Sequence, residues 1–187
     1  QQKNASKLTS VTLEVQNQAI IGRTIAEVQK VLQRKIVMSR VLHKSTQQVE
    51  LAGGQTRLEM GDHLYLVGTP NEIENMQVLI GPNVEDMNQE DWDKIDRNEL
   101  RCSKIVLTNA KLNGKRLRDL NLNQTFHVTV TRVNRAGVDL IADNTIILQL
   151  GDRLNIVGKE KDVKKVQQIM GDEVKRLDEP HLMTTFM

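Results

Sequence analysis

Apolar and polar residues alternate along most of the chain with spacings that predict strands and helices. Residues 12–15 and 104–107 are short, branched and apolar, which predicts a strand at each place. After a turn at Gly22, Thr24 and Glu27 have the spacing of a capping box, which predicts a helix start. The residues that follow place one apolar face on that helix at Ile25, Val28, Val31 and Leu32.

Further strands and two closing helices are predicted downstream. Strands are expected over residues 36–42 and 126–133, the second because Phe126, Val128 and Val130 alternate with polar residues. Hairpin regions follow over residues 49–58 and 138–148. The closing helices each have an apolar face, formed by Ile73, Met76 and Leu79 in the first and by Val163, Val166, Ile169 and Met170 in the second.

These elements occur twice because the sequence repeats itself. The segment GDHLYLVG at residues 61–68 returns as GDRLNIVG at residues 151–158, an offset of 90, and Ile80-Gly81 returns as Met170-Gly171 at the same offset. Earlier in each copy the offset is 92, as between Gly22 and Gly114. The repeat predicts two copies of one α+β lobe, each a small, mostly antiparallel sheet with two helices.

An acidic segment separates the two copies. Residues 82–100 have seven acidic and two basic side chains, a net charge of −5, and contain Trp92 and Ile95, which are expected to pack against the protein. A short ordered helix and a loose tether are equally compatible with this segment. The predicted organisation is a first lobe at residues 1–81, an acidic linker at 82–100, a second lobe at 101–172 and a tail at 173–187.

Composition excludes several classes of protein. The 26 basic residues are offset by 24 acidic ones, and aromatic residues are only 2% of the chain, so neither a basic surface nor a set of stacking rings indicates a nucleic acid polymer as partner. A single cysteine, Cys102, excludes an internal disulfide. No apolar run approaches the roughly 20 residues that span a bilayer.

The candidate chemistry favours binding over catalysis. The four histidines have no metal-ligand spacing, and the acids around Asp93 lack the glycine and terminal glutamate of a calcium loop. The Gly-Asp pairs lack the three glycines of a dinucleotide fingerprint and are predicted to be turns. No nucleophile lies beside a base in the sequence. We therefore expect no catalytic residue and no metal site.

The residues of the repeat resemble a known family. An N-terminal strand, Ile21-Gly22-Arg23-Thr24, a middle strand ending near Arg40, the motif at 61–68 and a helix ending in Ile80-Gly81 resemble the TrkA C-terminal domain, the C-terminal lobe of regulators of potassium conductance. Both copies show this resemblance, over residues 8–81 and 101–171. It implies two TrkA-C-like lobes and a regulatory, ligand-sensing role in ion transport, including potassium transport.

The tandem arrangement is similar to the cytosolic loop of transporters of the aspartate:alanine exchanger family. This similarity implies a place at the cytoplasmic face of the plasma (inner) membrane, between the two membrane halves of a longer chain, and association with potassium, other cation or amino-acid transport. The chain begins at Gln1 without methionine and turns apolar at its end, so we expect a fragment in which Met183, Phe186 and Met187 lead into a membrane segment.

Four residues are candidates for ligand binding. Arg40 and Arg132 occupy matching positions near the end of an interior strand, and His43 and Arg135 follow them by three residues. A guanidinium group there could bind a phosphate or carboxylate through two hydrogen bonds. In relatives the lobes pair, and in some of them the crevice between the lobes takes a cyclic dinucleotide, which makes such a ligand a candidate here. Structural salt bridges are the alternative explanation for these side chains.

Two functions therefore remain open for the chain. The first is a ligand-sensing regulatory module of a membrane transporter, and the second is a structural connector between membrane halves that binds nothing. A stand-alone binding protein is a third alternative. The linker of about 19 residues can extend past 50 Å at roughly 3.3 Å per residue, and a tether raises the effective concentration of one lobe near the other. We therefore predict that the lobes pair within one chain, with a homodimer as a further possibility.

Overall fold

The computed structural model describes residues 7–32, 35–97 and 99–171 and contains two four-stranded antiparallel sheets joined by a short helical linker. The elements of the first lobe are β1 (Thr9–Glu14), α1 (Ile25–Leu32), β2 (Ile36–His43), β3 (Gln48–Leu51), β4 (His63–Gly68) and α2 (Pro70–Leu79). The linker contains α3 (Gln89–Ile95). The elements of the second lobe are β5 (Arg101–Val106), α4 (Leu122–Phe126), β6 (Thr129–Arg135), β7 (Val138–Ile141), β8 (Arg153–Gly158) and α5 (Glu160–Met170).

The two sheets have the same topology. Their strand orders are β1-β4-β2-β3 and β5-β8-β6-β7, with every neighbouring pair antiparallel. The register also shifts at the same place in each, between Met38 and Arg40 and between Val130 and Arg132. The predicted α+β fold of two repeated lobes is therefore confirmed.

Each lobe has its own hydrophobic core on one face of its sheet, under its long closing helix. In the first lobe, residues of β1, β2 and β4 pack against Ile73 and Met76 of α2. In the second lobe, residues of β5, β6 and β8 pack against Val163, Val166 and Met170 of α5. Burying an aliphatic side chain of this size contributes about 1.5–3 kcal/mol, so the alternating apolar positions hold each sheet to its helix.

The helices that follow the first turn differ between the lobes. Helix α1 begins with the predicted capping box, since the Thr24 backbone N–H donates to Glu27 Oε1 at 3.1 Å and the Glu27 N–H donates to Thr24 Oγ1 at 3.2 Å. In the second lobe a 3₁₀ turn occupies Leu117–Leu120, and its N-cap Arg116 makes no side-chain capping bond. The second lobe therefore has only a short 3₁₀ turn where the first lobe has a capped α-helix.

The predicted start of strand β6 is wrong. Phe126 ends the short helix α4, and the strand begins only at Thr129. His127 has a φ of 56°, in the left-handed region, and this residue turns the chain from the helix into the strand. The alternation of Phe126 with Val128 comes from two elements that meet in one core, which a strand pattern cannot distinguish from a single element.

The Gly-Asp pairs form turns in both lobes. Gly61 and Gly151 have φ values of 86° and 88°, which only glycine adopts without strain. Asp62 accepts a hydrogen bond from the backbone N–H of Glu59 at 2.9 Å, and Asp152 accepts one from Gln149 at 2.8 Å. The predicted turn chemistry is therefore confirmed.

The linker includes a helix with a buried anchor. Asn88 and Asp91 form a capping box at the start of α3. Trp92 is fully buried, its ring centroid lies 5.4 Å from that of Tyr65, and its Nε1 donates to Thr12 Oγ1 at 2.7 Å. Ile95 is 39% exposed, so the expectation that it packs is wrong. The tryptophan attaches the linker to the first lobe.

Over the described ranges, no helix has the length and apolar character needed to cross a membrane. The tail at residues 173–187, including Met183, Phe186 and Met187, lies outside the described residues. The domain boundaries predicted from the sequence stay predictions.

Candidate functional site

The two lobes pack against each other within one chain, on the sheet faces that their helices leave open. Side chains alternate across a strand, so Tyr65 points away from Leu64 and Leu66 in the first core. Tyr65 belongs instead to a third apolar cluster with residues of the linker and of the second lobe. The buried members of this cluster are Val49, Tyr65, Trp92, Leu100 and Val157.

Side-chain hydrogen bonds also join the lobes. Asn123 Nδ2 in the second lobe donates to the Ala52 carbonyl in the first at 3.3 Å, and it donates to Thr129 Oγ1 in its own lobe at 2.8 Å. Arg132 Nη2 donates to Ser10 Oγ at 3.1 Å. These contacts agree with the predicted pairing of the lobes inside one chain.

A cleft of about 760 Å³ opens at this junction. Its walls come from matching segments of the two lobes, since Ile25 and Leu117 are related by the repeat offset of 92 and Ala52 and Ala142 by the offset of 90. The size falls within the range of roughly 300–1,000 Å³ that is typical of small-molecule sites. The cleft therefore lies between two copies of the same structural unit.

The lining of the cleft is partly apolar and partly polar. It includes buried core side chains of β2, of β6 and of the residue before β6, among them Ile36, Met38, Val128 and Val130. The polar and charged residues of the lining are Gln29, Lys30, Lys35, Arg118, Asn121, Asn123, Gln124, Thr129, Asp143, Asn144 and Thr145. Apolar surface with a few polar groups beside it can bind a small molecule and orient it.

Arg40 and Arg132, predicted to bind a ligand, lie on the contacting strands β2 and β6 rather than in the lining of the cleft. Arg40 is completely buried, and its Nη1 lies 2.8 Å from Asp93 Oδ1 on the linker helix. Its Nε and Nη2 are buried, and neither has a hydrogen-bond partner among the residues that the structure describes. Arg132 is partly exposed and contacts Asp139 at 3.5 Å as well as Ser10.

His43 and Arg135 lie beside the Gly-Asp turn of their own lobes. His43 Nδ1 is 3.1 Å from Asp62 Oδ2, and its Nε2 is 3.3 Å from Glu50. Arg135 binds Asp152 through Nε at 2.9 Å and Nη2 at 2.8 Å, which raises the pKa of the arginine. All four predicted residues thus have protein partners, and their role in ligand binding stays a prediction.

Cys102 lies on β5 in the contact between the lobes. Burial raises the pKa of its thiol, and the nearby guanidinium groups of Arg40 and Arg132 act in the opposite direction. Burial likewise raises the pKa of Tyr65, against a hydrogen bond with Ser10 and the same two guanidinium groups. A thiol with a raised pKa is a poor nucleophile. The role of Cys102 is therefore explained by its packing against the apolar cluster between the lobes.

A second, smaller cavity of about 230 Å³ lies on the first lobe. Its lining includes Glu14 and His63, whose Oε1 and Nε2 atoms are 3.2 Å apart. A hydrogen bond from Gln16, together with His63, lowers the pKa of Glu14. Among the described residues no group of three histidine, cysteine or acidic side chains is arranged to hold a metal ion.

Sequence reasoning missed the residues of the cleft. Eleven of the 24 lining residues are polar, and polar residues at helix ends and in loops have no periodicity of their own. The signal that could have found them is the repeat itself, because paired copies bring matching segments together at the junction. Ala52, Gly53 and Gly54 in the first copy match Ala142, Asp143 and Asn144 in the second.

Comparison with known proteins gives a family and relatives. The sequence model of the TrkA-C domain family matches residues 8–81 and 104–171. An uncharacterized transporter of Porphyromonas gingivalis is 40% identical over 92% of this chain, and one of Bacteroides fragilis is 36% identical over 95%. The chain spans 31% of the length of each of these relatives.

Solved structures of related domains have lower similarity. The RCK_C domain dimer of Streptococcus agalactiae BusR in complex with c-di-AMP is 17% identical, with 41% of this chain and 96% of that chain covered and a TM-score of 0.37. The GsuK RCK domain is 12% identical, with 89% of this chain and 64% of that chain covered and a TM-score of 0.39.

Proposed function

The chain belongs to the TrkA-C domain family, and from that premise we propose that it is a regulatory module of a membrane transporter that binds a small ligand in the cleft between its lobes. The transporter context is supported by relatives named as transporters, of which this chain spans 31%. In this proposal the module lies on the cytoplasmic side of the inner membrane and connects two membrane halves of one longer chain. Potassium, other cations and amino acids are the proposed classes of transported solute.

The observation that supports this proposal most directly is that both lobes line the cleft. Its lining comes from both lobes, so a ligand bound there contacts both lobes at once. A ligand shifts a conformational equilibrium only by its difference in affinity for the two states. Since the contacts on the two walls depend on how the lobes are arranged, binding in this cleft would favour one arrangement over others.

The lining is suited to binding rather than to catalysis. Among the described residues that line the cleft are amides, lysines and aliphatic groups, and neither a cysteine nor a histidine is included. A nucleophilic mechanism needs a nucleophile held beside a base. We therefore propose recognition of a ligand, with its effect transmitted through the position of the lobes.

The roles of Arg40, His43, Arg132 and Arg135 in binding are part of the proposal. A ligand that reached Arg40 would compete with Asp93 for the guanidinium, and one that reached Arg135 would compete with Asp152. If they bind the ligand, the alanine variants lose binding while the protein still folds. Binding that survives these substitutions would exclude these four residues from the ligand site.

A thermal-shift experiment tests the proposed function. The intact chain is screened with nucleotides, cyclic dinucleotides and amino acids, since a ligand at 100 times its dissociation constant stabilises the folded state by about 2.7 kcal/mol. The variant Ala26→Trp obstructs the cleft at an exposed helical position, and Val78→Trp on α2 is the control outside it. A stabilising ligand whose effect disappears only in Ala26→Trp supports the proposal.

A structural connector is the second candidate function. It is favoured by the full burial of Trp92 and Arg40, which fasten the linker to the first lobe. For a connector, no ligand in the panel changes the unfolding temperature. Hydrogen exchange would then find the contact between the lobes protected to the same degree as the two cores.

A further inference from the structure

The two walls of the cleft, one from each lobe, are formed by segments that the repeat relates, but their side chains differ. At positions related by the repeat, Ala26 matches Arg118, Lys30 matches Leu122 and Gly53 matches Asp143. The wall from the first lobe has two cationic side chains and no acidic one, whereas the wall from the second lobe has one of each. The cleft is therefore symmetric in its fold and asymmetric in its charge.

The cations of the first wall are available to a ligand. Lys30 and Lys35 are exposed, and neither ammonium group has a carboxylate within 4.0 Å among the residues that the structure describes. Glu72 accepts a hydrogen bond from the backbone N–H of Lys35 at 3.1 Å. On the opposite wall Arg118 has a carboxylate beside it, since it forms an exposed ion pair with Asp119 at 3.7 Å.

The second wall offers uncharged hydrogen-bonding groups instead. Asn121, Gln124 and Asn144 are exposed there, and within the described part of the chain their side-chain amides have no hydrogen-bond partner. An amide presents a donor and an acceptor side by side, which suits the edge of a nucleobase. Asn123 offers its Oδ1 as a further acceptor. Its Nδ2 already donates to Ala52 and Thr129, and its Oδ1 lies on the side of Gly53.

From this asymmetry we infer that the cleft selects an unsymmetrical ligand of the 5′-mononucleotide class, an inference that rests on the proposed function. The phosphate monoester binds at Lys30 and Lys35, and the uncharged ring binds at the amides of the second wall. Accessible aliphatic residues of the lining, such as the exposed Ala26 and the half-buried Leu117, contact the face of the ring and remove apolar surface from water. Each end of such a molecule thus meets a wall of matching chemistry.

A symmetric ligand fits the same cleft less well. Two identical lobes in a homodimer present two identical walls, which complement a molecule with two equal halves. Here a molecule with two equal phosphates would place one of them at Lys30 and Lys35 and the other near Asp143. The second phosphate would therefore meet a wall without net positive charge.

Calorimetric titration of the intact chain with AMP, adenosine and cyclic di-AMP tests the inference. We expect AMP to bind at least about tenfold more tightly than either of the others, a difference of about 1.4 kcal/mol. The double variant Lys30→Gln/Lys35→Gln should weaken AMP binding about tenfold and leave adenosine binding unchanged. The variant Lys161→Gln/Lys165→Gln removes the same charge from exposed positions outside the cleft and controls for net charge.

The outcomes separate the inference from the proposed function. Tighter binding of cyclic di-AMP than of AMP, or equal losses of AMP binding in Lys30→Gln/Lys35→Gln and in Arg118→Gln, would overturn the inference while the cleft keeps its function. Binding of AMP that is unaffected by Ala26→Trp would place the ligand outside the cleft and overturn both. Absence of binding by all three molecules at millimolar concentration would overturn the inference, whereas the proposed function is rejected only if the whole thermal-shift panel also fails to stabilise the chain.

Discussion

The two lobes share a topology but differ in what surrounds it. Both sheets have the same strand order and the same register shift, and each core lies beneath one long helix. The first lobe, however, has the linker helix packed on its open face, with Trp92 buried against Tyr65. In the second lobe Asn155 occupies the position of Tyr65. A topology held by a few glycines, aspartates and apolar positions thus leaves the remaining positions free to diverge.

Equivalent charged residues have diverged in the same way. Arg40 is fully buried and paired with the linker, whereas Arg132 is partly exposed and bonded to the first lobe. His43 and Arg135 both contact a buried aspartate, but only the arginine does so through two nitrogens. Two copies of a repeat in one chain can therefore differ in their residues and contacts, whereas the subunits of a homodimer have identical sequences.

Removal of the linker anchor is expected to have the largest effect. Trp92→Ala leaves a cavity where the indole packs and breaks its bond to Thr12, at a cost of about 3–5 kcal/mol in the free energy of unfolding. Thermal and urea unfolding followed by circular dichroism measure the loss. Ile95→Ala on the same helix is the control and should change stability by less than about 1 kcal/mol, because Ile95 is partly exposed. Equal losses in the two variants would contradict the anchoring role of Trp92.

Breaking the ion pair of Arg40 is expected to have the next largest effect. Asp93→Asn leaves a buried guanidinium without its counter-charge, at a cost of about 3 kcal/mol, near the low end for buried pairs because the carboxylate is 31% exposed. Asp139→Asn, beside the equivalent Arg132, should cost less than about 1 kcal/mol. Urea unfolding measures both values. If Arg40→Met in the Asp93→Asn background restores no stability, the unpaired charge is not the cause.

The Gly-Asp turns should differ in their dependence on the side chain beside the aspartate, which is His43 in the first lobe and Arg135 in the second. Arg135→Met removes two of the three hydrogen bonds that the buried Asp152 accepts, at a cost of about 2 kcal/mol. His43→Ala should cost about 1 kcal/mol, since Asp62 keeps the backbone N–H groups of Lys44 and Glu59. Thermal unfolding of the two variants measures the difference. A larger loss in His43→Ala would reverse this comparison.

The smallest predicted effect concerns pH and the capping box. Hydrogen bonds from the backbone and hydroxyl of Thr24 lower the pKa of Glu27 below its ordinary value of 4.5. The resulting stability is therefore present above pH 4.5 and is lost as the pH falls through the lowered pKa. Glu27→Gln should abolish this contribution. The fall in Tm on acidification should then be smaller by about 1–2 °C than in the unsubstituted protein. Asp119→Asn, at the matching position of the second lobe, is the control.

Much of the fold could be predicted because local pattern and turn chemistry agree with it. The glycine turns, the capping box at Thr24 and the apolar faces of α2 and α5 are all where the sequence indicates. The predicted start of β6 is wrong because Phe126 packs into the core from a helix instead of a strand. Apolar alternation reports that a side chain is buried, and it does not report which element buries it.

The candidate site depended on contacts that no local pattern contains. The repeat identifies Arg40 and Arg132 as matching positions. It does not indicate that Arg40 pairs with Asp93, which lies 53 residues further along the chain. The cleft likewise gathers short polar segments from both lobes. Such segments have no periodicity, and only the packing of the two sheets brings them together.

The sequence by itself determined that the chain folds as two α+β lobes, because the repeat, the glycine turns and the apolar spacing act over a few residues each. The tertiary structure decided which sheet faces meet, that Trp92 is buried while Ile95 is exposed, and which side chains line the cleft. The physical reason is that burial between lobes depends on the fit of whole surfaces, and each residue of such a surface is specified by partners far away in the chain.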